Sequence, residues 1–140
     1  MKISVHAVGR MKAGPERELA DRYFERFAKS GPAVGLEFAG ITEIAEGRSQ
    51  SAIERQRDEG SRLQAQLQPG TALILLDERG KGLSSQDLAN RIGQLRDGGR
   101  KALVLAIGGA DGHDASLRDQ AELVLSFGAL TWPHQLVRVM

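Results

Sequence analysis

His134 and Arg138 stand four residues apart, directly after Pro133. A helix begun at that proline would set both side chains on one face. An imidazole beside a guanidinium can position a base, move a proton or hold an anion. The plainer arrangement is a helix-start histidine with a solvated arginine. A second candidate is Asp111-Gly112-His113-Asp114. A metal site needs three or four convergent ligands, and no second cluster of histidines or carboxylates completes this one. The expectation is no metal, with Asp114 capping a helix while Asp111 and His113 face water. Ser84 and Ser85 lack a G-x-S-x-G elbow and read as helix-capping residues. His6 lies in an alternating stretch, where it is packed or solvent-facing rather than catalytic. The chain has no cysteine, which excludes disulfides, thiolate metal centres and a cysteine nucleophile.

Glycines 108, 109 and 112 follow the apolar run ALVLAI. They permit positive φ and close approach of backbone to a ligand. They fit neither G-x-G-x-x-G nor a Lys-containing phosphate loop, so alone they are compatible with a simple strand-to-helix turn.

The elements that must hold these residues alternate along the chain. Lys2 to Val8 reads as a strand, and Pro15 to Ser30 as a helix with Leu19, Ala20, Tyr23, Phe24, Phe27 and Ala28 on one face. Val34 to Ile41 is expected to be a second strand, and TEIAEGRSQS a flexible loop. Ile53, Gly60, Leu63 and Leu67 form a helical stripe that ends at Pro69-Gly70. Ala72 to Leu76 and Ala102 to Ile107 are continuous apolar runs, as expected of strands covered on both faces. Asp77 to Gly82 reads as a loop, Ser84 as the cap of a helix bearing Leu88, Ile92 and Leu95, and Leu123 to Phe127 as a last strand. This order predicts an α/β domain with a mainly parallel sheet and helices on both faces. Ligands of such sheets bind beyond the carboxyl ends of the strands. The loops after Leu76, Ile107 and the last strand therefore define the expected site.

The 140 residues suit one domain, and 19 basic against 18 acidic residues leave a formal charge of +1. That excludes a histone-like grip on nucleic acid but allows a local basic patch. No signal-like segment or long apolar run is present, which predicts a soluble, cytoplasmic protein without membrane contact.

Three blocks, LLDERGKGLSSQDLANRI, LAIGGADG and LSFGALTWPHQLVRVM, closely resemble the ribosomal RNA large-subunit pseudouridine N3-methyltransferase family of the SPOUT superfamily. The opening MKISVHAVGRMK is similar to the family's first strand and turn, so the resemblance spans the chain. It implies a trefoil knot in the C-terminal half, a homodimer, and S-adenosylmethionine as cofactor. By the family pattern Leu76, Gly108 and the run Phe127, Gly128, Ala129, Leu130, Thr131 and Trp132 line the cofactor pocket. His134 and Arg138 fall in the family's P-H-x-x-x-R element and are the expected catalytic residues. Arg138 would hold phosphate or the developing imide anion, and His134 would position the base or shuttle a proton. The implied substrate is N3 of a pseudouridine in 23S rRNA of the assembled ribosome.

His113 and Asp114 replace the family's usual apolar residue and serine, and Asp keeps the capping function. Family members continue past the P-H-x-x-x-R element through a helix and a short basic tail. The expectation is therefore a single SPOUT domain over residues 1–140 without that helix and tail. Two other readings fit less of the sequence: a catalytically inactive, ribosome-associated module that binds S-adenosylmethionine, and a generic Rossmann-like nucleotide-binding protein.

Overall fold

The computed structural model describes residues 1–140. Strands β1 (Lys2–Val8), β2 (Glu37–Ile44), β3 (Thr71–Gly82), β4 (Ala102–Ile107) and β5 (Leu123–Ser126) form one sheet in the order β2-β1-β4-β3-β5, with every neighbouring pair parallel. Helices α1 (Pro15–Ser30), α2 (Ala52–Gln64), α3 (Ser85–Asp97) and α4 (Ala115–Gln120) make the crossovers, and α5 (His134–Val137) is a single last turn.

Strand alternation divides the core into two layers. Ile3, Ala72, Ile74, Leu103 and Leu125 point to the face covered by Phe27 of α1 and by Leu88, Ile92 and Leu95 of α3. Leu73, Leu75 and Ala106 point to the opposite face, where Leu63 of α2 and Leu117 of α4 pack. Helices thus cover both faces, as the continuous apolar runs predict. On α1 the apolar stripe is narrower than its sequence suggests, since Leu19 and Tyr23 are exposed. Ser84 caps α3 by accepting from the Asp87 amide at 3.1 Å, and Asp114 caps α4 by accepting from Ser116 at 2.8 Å.

Two elements differ from the sequence expectation. Val34 ends a 3₁₀ turn (Gly31–Val34) closed by Gly35 at φ 72°, so β2 begins at Glu37. It also runs on through Thr42, Glu43 and Ile44, because these pair in register with His6, Ala7 and Val8. Asp77–Gly82, expected to be a loop, belongs to β3. Leu76 and Lys81 both pair with Leu125, so residues 77–80 form a bulge and the strand rejoins β5 at Lys81 and Gly82.

After β5 the chain leaves the sheet at Phe127 but stays close to its carboxyl edge. It passes back over the ends of β3 and β4 to β1, where Val137 packs with Val5, Ala7 and Ile107. No helix is long and apolar enough to cross a membrane.

Candidate functional site

The carboxyl ends of β3, β4 and β5 open into one cleft of about 280 Å³. Its floor is the turn after β4. There the Gly112 amide donates to the Gly109 carbonyl at 3.0 Å, and Gly112 adopts φ 80°, which favours glycine. Four contacts pin this turn from outside. Arg55 of α2 grips the Asp111 carboxylate with two bonds of 2.7 and 3.0 Å, and Gln56 donates to the Asp111 carbonyl at 2.6 Å. His113 is buried rather than water-facing, and its Nε2 donates to the Leu76 carbonyl at 3.1 Å. Burial is the main reason its pKa is lowered.

The β3 bulge supplies one wall. Asp77 is buried, and its Oδ1 accepts from the Arg79 amide at 2.9 Å and from Arg79 Nε at 3.3 Å. Arg118 of α4 lies 3.5 Å from the other oxygen. Burial would raise the Asp77 pKa, but the Arg79 amide and the Arg118 and Arg79 cations hold it below the usual carboxylate range. The result is an exposed Arg79 tethered at the mouth of the cleft.

The segment after β5 closes the other side. Gly128 turns at φ 113°, and its amide donates to Ser126 Oγ at 3.1 Å. Trp132 Nε1 donates to the Phe127 carbonyl at 3.4 Å, which folds the segment back on itself. Leu130 and Trp132 stay exposed along the rim.

His134 stands where this cleft meets a second groove of about 510 Å³, lined by Gly9, Arg10, Glu46, Gln135 and Arg138. Its Nε2 lies 2.7 Å from the Gly108 carbonyl, and its Nδ1 lies 3.4 Å from Arg138 Nη2. Arg138 is buried, not solvated. Its guanidinium donates to Glu43 and to the carbonyls of Val8 (3.1 Å) and Gly9. Burial lowers the Arg138 pKa against the opposing pull of Glu43.

The structure therefore brings Leu76, Gly108, Phe127, Gly128, Leu130, Thr131, Trp132 and His134 to one cleft. Ala129 lies outside the lining, and Arg138 borders the groove instead. Sequence reasoning missed Glu43, Asp77 and Arg55. Arg55 carries no motif; Asp77 lies in the LLDERGKG block but reads only as loop, and Glu43 sits in a segment expected to be loop.

The arrangement suits S-adenosylmethionine. Glycine-rich backbone lines the space at Gly108, Gly109, Gly112 and Gly128, and apolar Leu76, Leu125, Leu130 and Trp132 border it. An open parallel sheet with its cleft at a Gly-rich turn and a returning C-terminal segment defines an α/β ligand-binding enzyme class. A family description, "Predicted SPOUT methyltransferase", matches residues 1–140. The chain belongs to the SPOUT methyltransferase family. It is 96% identical over its whole length to the ribosomal RNA large subunit methyltransferase H of Mesorhizobium japonicum, covering 88% of that protein. The proteins of the same name from Brucella anthropi (59% identical, 88% covered) and a Chelativorans species (61% identical, 80% covered) also match across the full chain.

Proposed function

We propose that this chain is an S-adenosylmethionine-dependent methyltransferase that methylates N3 of a pseudouridine in 23S, large-subunit ribosomal RNA. It acts on assembled ribosomes in the cytoplasm. The observation that carries the reading is the convergence of the Gly108 turn and the Phe127 to Trp132 segment on one cleft, in a chain 96% identical to a ribosomal RNA large subunit methyltransferase.

When bound, the cofactor supplies a methyl group on a sulfonium centre, open to in-line displacement. Backbone groups of Gly108, Phe127, Gly128 and Thr131 hold its polar edges, and Leu76, Leu130 and Trp132 cover its apolar faces. The target nucleotide enters from the groove on the other side of His134, where Arg10 meets phosphate. His134 forms the wall between the two ligands and orients the base. The Nη groups of Arg138 are held by Glu43, Val8 and Gly9 and its Nε is buried, so it stabilises the imide anion, formed as N3 gives its proton to solvent, through its field rather than by contact.

Exposed Leu130, Trp132 and Leu136 suit a two-fold homodimer with both clefts near the contact. Incubation with ribosomes lacking the modification, followed by mass-spectrometric mapping, should place one methyl group on a large-subunit pseudouridine. Methylation of another base, or none, overturns the reading.

A further inference from the structure

His134 holds its proton on a defined nitrogen. The Gly108 carbonyl, 2.7 Å from Nε2, can only accept, so Nε2 carries the hydrogen. Arg138 Nη2, 3.4 Å from Nδ1, spends its two hydrogens on the Val8 and Gly9 carbonyls, but a hydrogen on Nδ1 would face the guanidinium cation, so Nδ1 presents its lone pair. The two neighbours select the same tautomer. In that state His134 is a strut that ties the C-terminal turn to the floor of the cleft.

The strut is only as fixed as Arg138, and the carboxylate paired with Arg138 is Glu43. Glu43 lies on β2, two strands away from the β4 turn that it steadies. It is itself held by the Met11 amide at 3.0 Å and by Arg17 of α1 at 3.0 and 3.1 Å. These contacts, with those of Arg138, hold its carboxyl below the usual range despite the opposing effect of burial. The series Arg17, Glu43, Arg138, His134, Gly108 thus runs from the edge of the sheet to the cleft.

We propose that Glu43 is a positioning residue for the methyl-donor cleft: by holding Arg138 it fixes the His134 tautomer and thereby the Gly108 carbonyl. This rests on the methyl-donor reading above. Removing one partner from a buried charge pair leaves the other uncompensated, so Arg138 would move toward water and release His134.

The test combines calorimetry with S-adenosylhomocysteine and nitrogen-15 NMR of the histidine side chains. Wild-type protein should show a neutral Nε2–H His134 with a protected ring proton. Glu43→Gln should lose that signature and bind S-adenosylhomocysteine about tenfold more weakly. Glu43→Asp, which keeps the charge, should recover part of both. Arg17→Gln removes the other cation on Glu43 but leaves the Arg138 pair, and should retain the His134 signature and affinity within about twofold. If Glu43→Gln does not fold, the ranking of the Asp variant between wild type and Arg138→Gln carries the same comparison. A folded Glu43→Gln with wild-type signature and affinity overturns the proposal, and so does an Arg17→Gln that loses as much. Wild-type protein that binds no S-adenosylhomocysteine instead overturns the methyl-donor reading, while the His134 signal still reports on Glu43.

Discussion

Gly80 packs directly on the backbone of Val124: a Cβ at Gly80 would stand 2.7 Å from the carbonyl carbon and oxygen of Val124. Real Cβ atoms do not come so close to backbone, so any side chain must push β5 away from the β3 bulge. Gly80→Ala should destabilise the fold by about 1–3 kcal/mol in denaturant titration. Gly82, two residues on, has nothing within 4 Å of the same position. Gly82→Ala should therefore change stability by less than about 0.5 kcal/mol. Equal effects at both sites would refute the close approach.

That contact also marks where the sequence is silent. The continuous apolar runs of β3 and β4 announce strands buried on both faces, and Asp114 and Ser84 announce their helices. Asp77–Gly82 is polar and glycine-rich, which reads as a loop, yet lateral pairing with β5 decides its structure. Glu43 escaped for the same reason, since β1 recruits Thr42–Ile44 into the sheet regardless of their polarity. His113 looked solvated because nothing local reveals that the Leu76 carbonyl, on another strand, waits for its Nε2. The loops of the site were legible from strand ends; the partners that hold them come from distant elements.

Gly108 tests the floor of the cleft. A Cβ there would meet the Gly112 carbonyl carbon and His113 Nε2, both at 3.2 Å. The added atom therefore presses into the turn itself rather than into the ligand space. Gly108→Ala needs a shift of a few tenths of an ångström and should weaken S-adenosylhomocysteine binding a few-fold. Gly108→Val forces the turn open, and its affinity should fall by at least about tenfold. Calorimetry showing wild-type affinity for the valine variant would remove Gly108 from the site.

His113 makes stability depend on pH. Burial disfavours its imidazolium and lowers its pKa, against weaker opposition from Asp77 and the Leu76 and Ala106 carbonyls. His6 is lowered in the same direction, again chiefly by burial. The unfolded chain then binds protons that the folded one refuses, in the window below about pH 6.5. This contribution is fully present above that value and is lost as the pH falls toward the folded pKa. Thermal unfolding should move down by several degrees between about pH 7.5 and 5.5. His113→Gln should make the decline shallower, with His6 responsible for what remains. An unchanged slope in that variant would absolve His113.

Substrate selection should depend on the assembled ribosome. With 19 basic and 18 acidic residues, the chain has little net attraction for a phosphate backbone, so contact must come from placed charges and shape. The placed charges are Arg79 at the cleft mouth, Arg10 on the groove behind His134, and Lys12 and Lys81 on exposed surface nearby. Arg138 is not among them, because its Nη groups are held by Glu43, Val8 and Gly9 and its Nε is buried. Arg79 is the most telling, since Asp77 fixes where its guanidinium stands while leaving it exposed. Methyl transfer to ribosomes should exceed transfer to naked 23S rRNA by at least about tenfold. Arg79→Gln should lower kcat/KM on ribosomes several-fold, leave thermal stability within about 0.5 kcal/mol, and flatten the dependence of KM on salt by about one phosphate contact. Efficient methylation of free RNA, or an Arg79→Gln enzyme with unaltered salt dependence, would show that the nucleotide is recognised elsewhere.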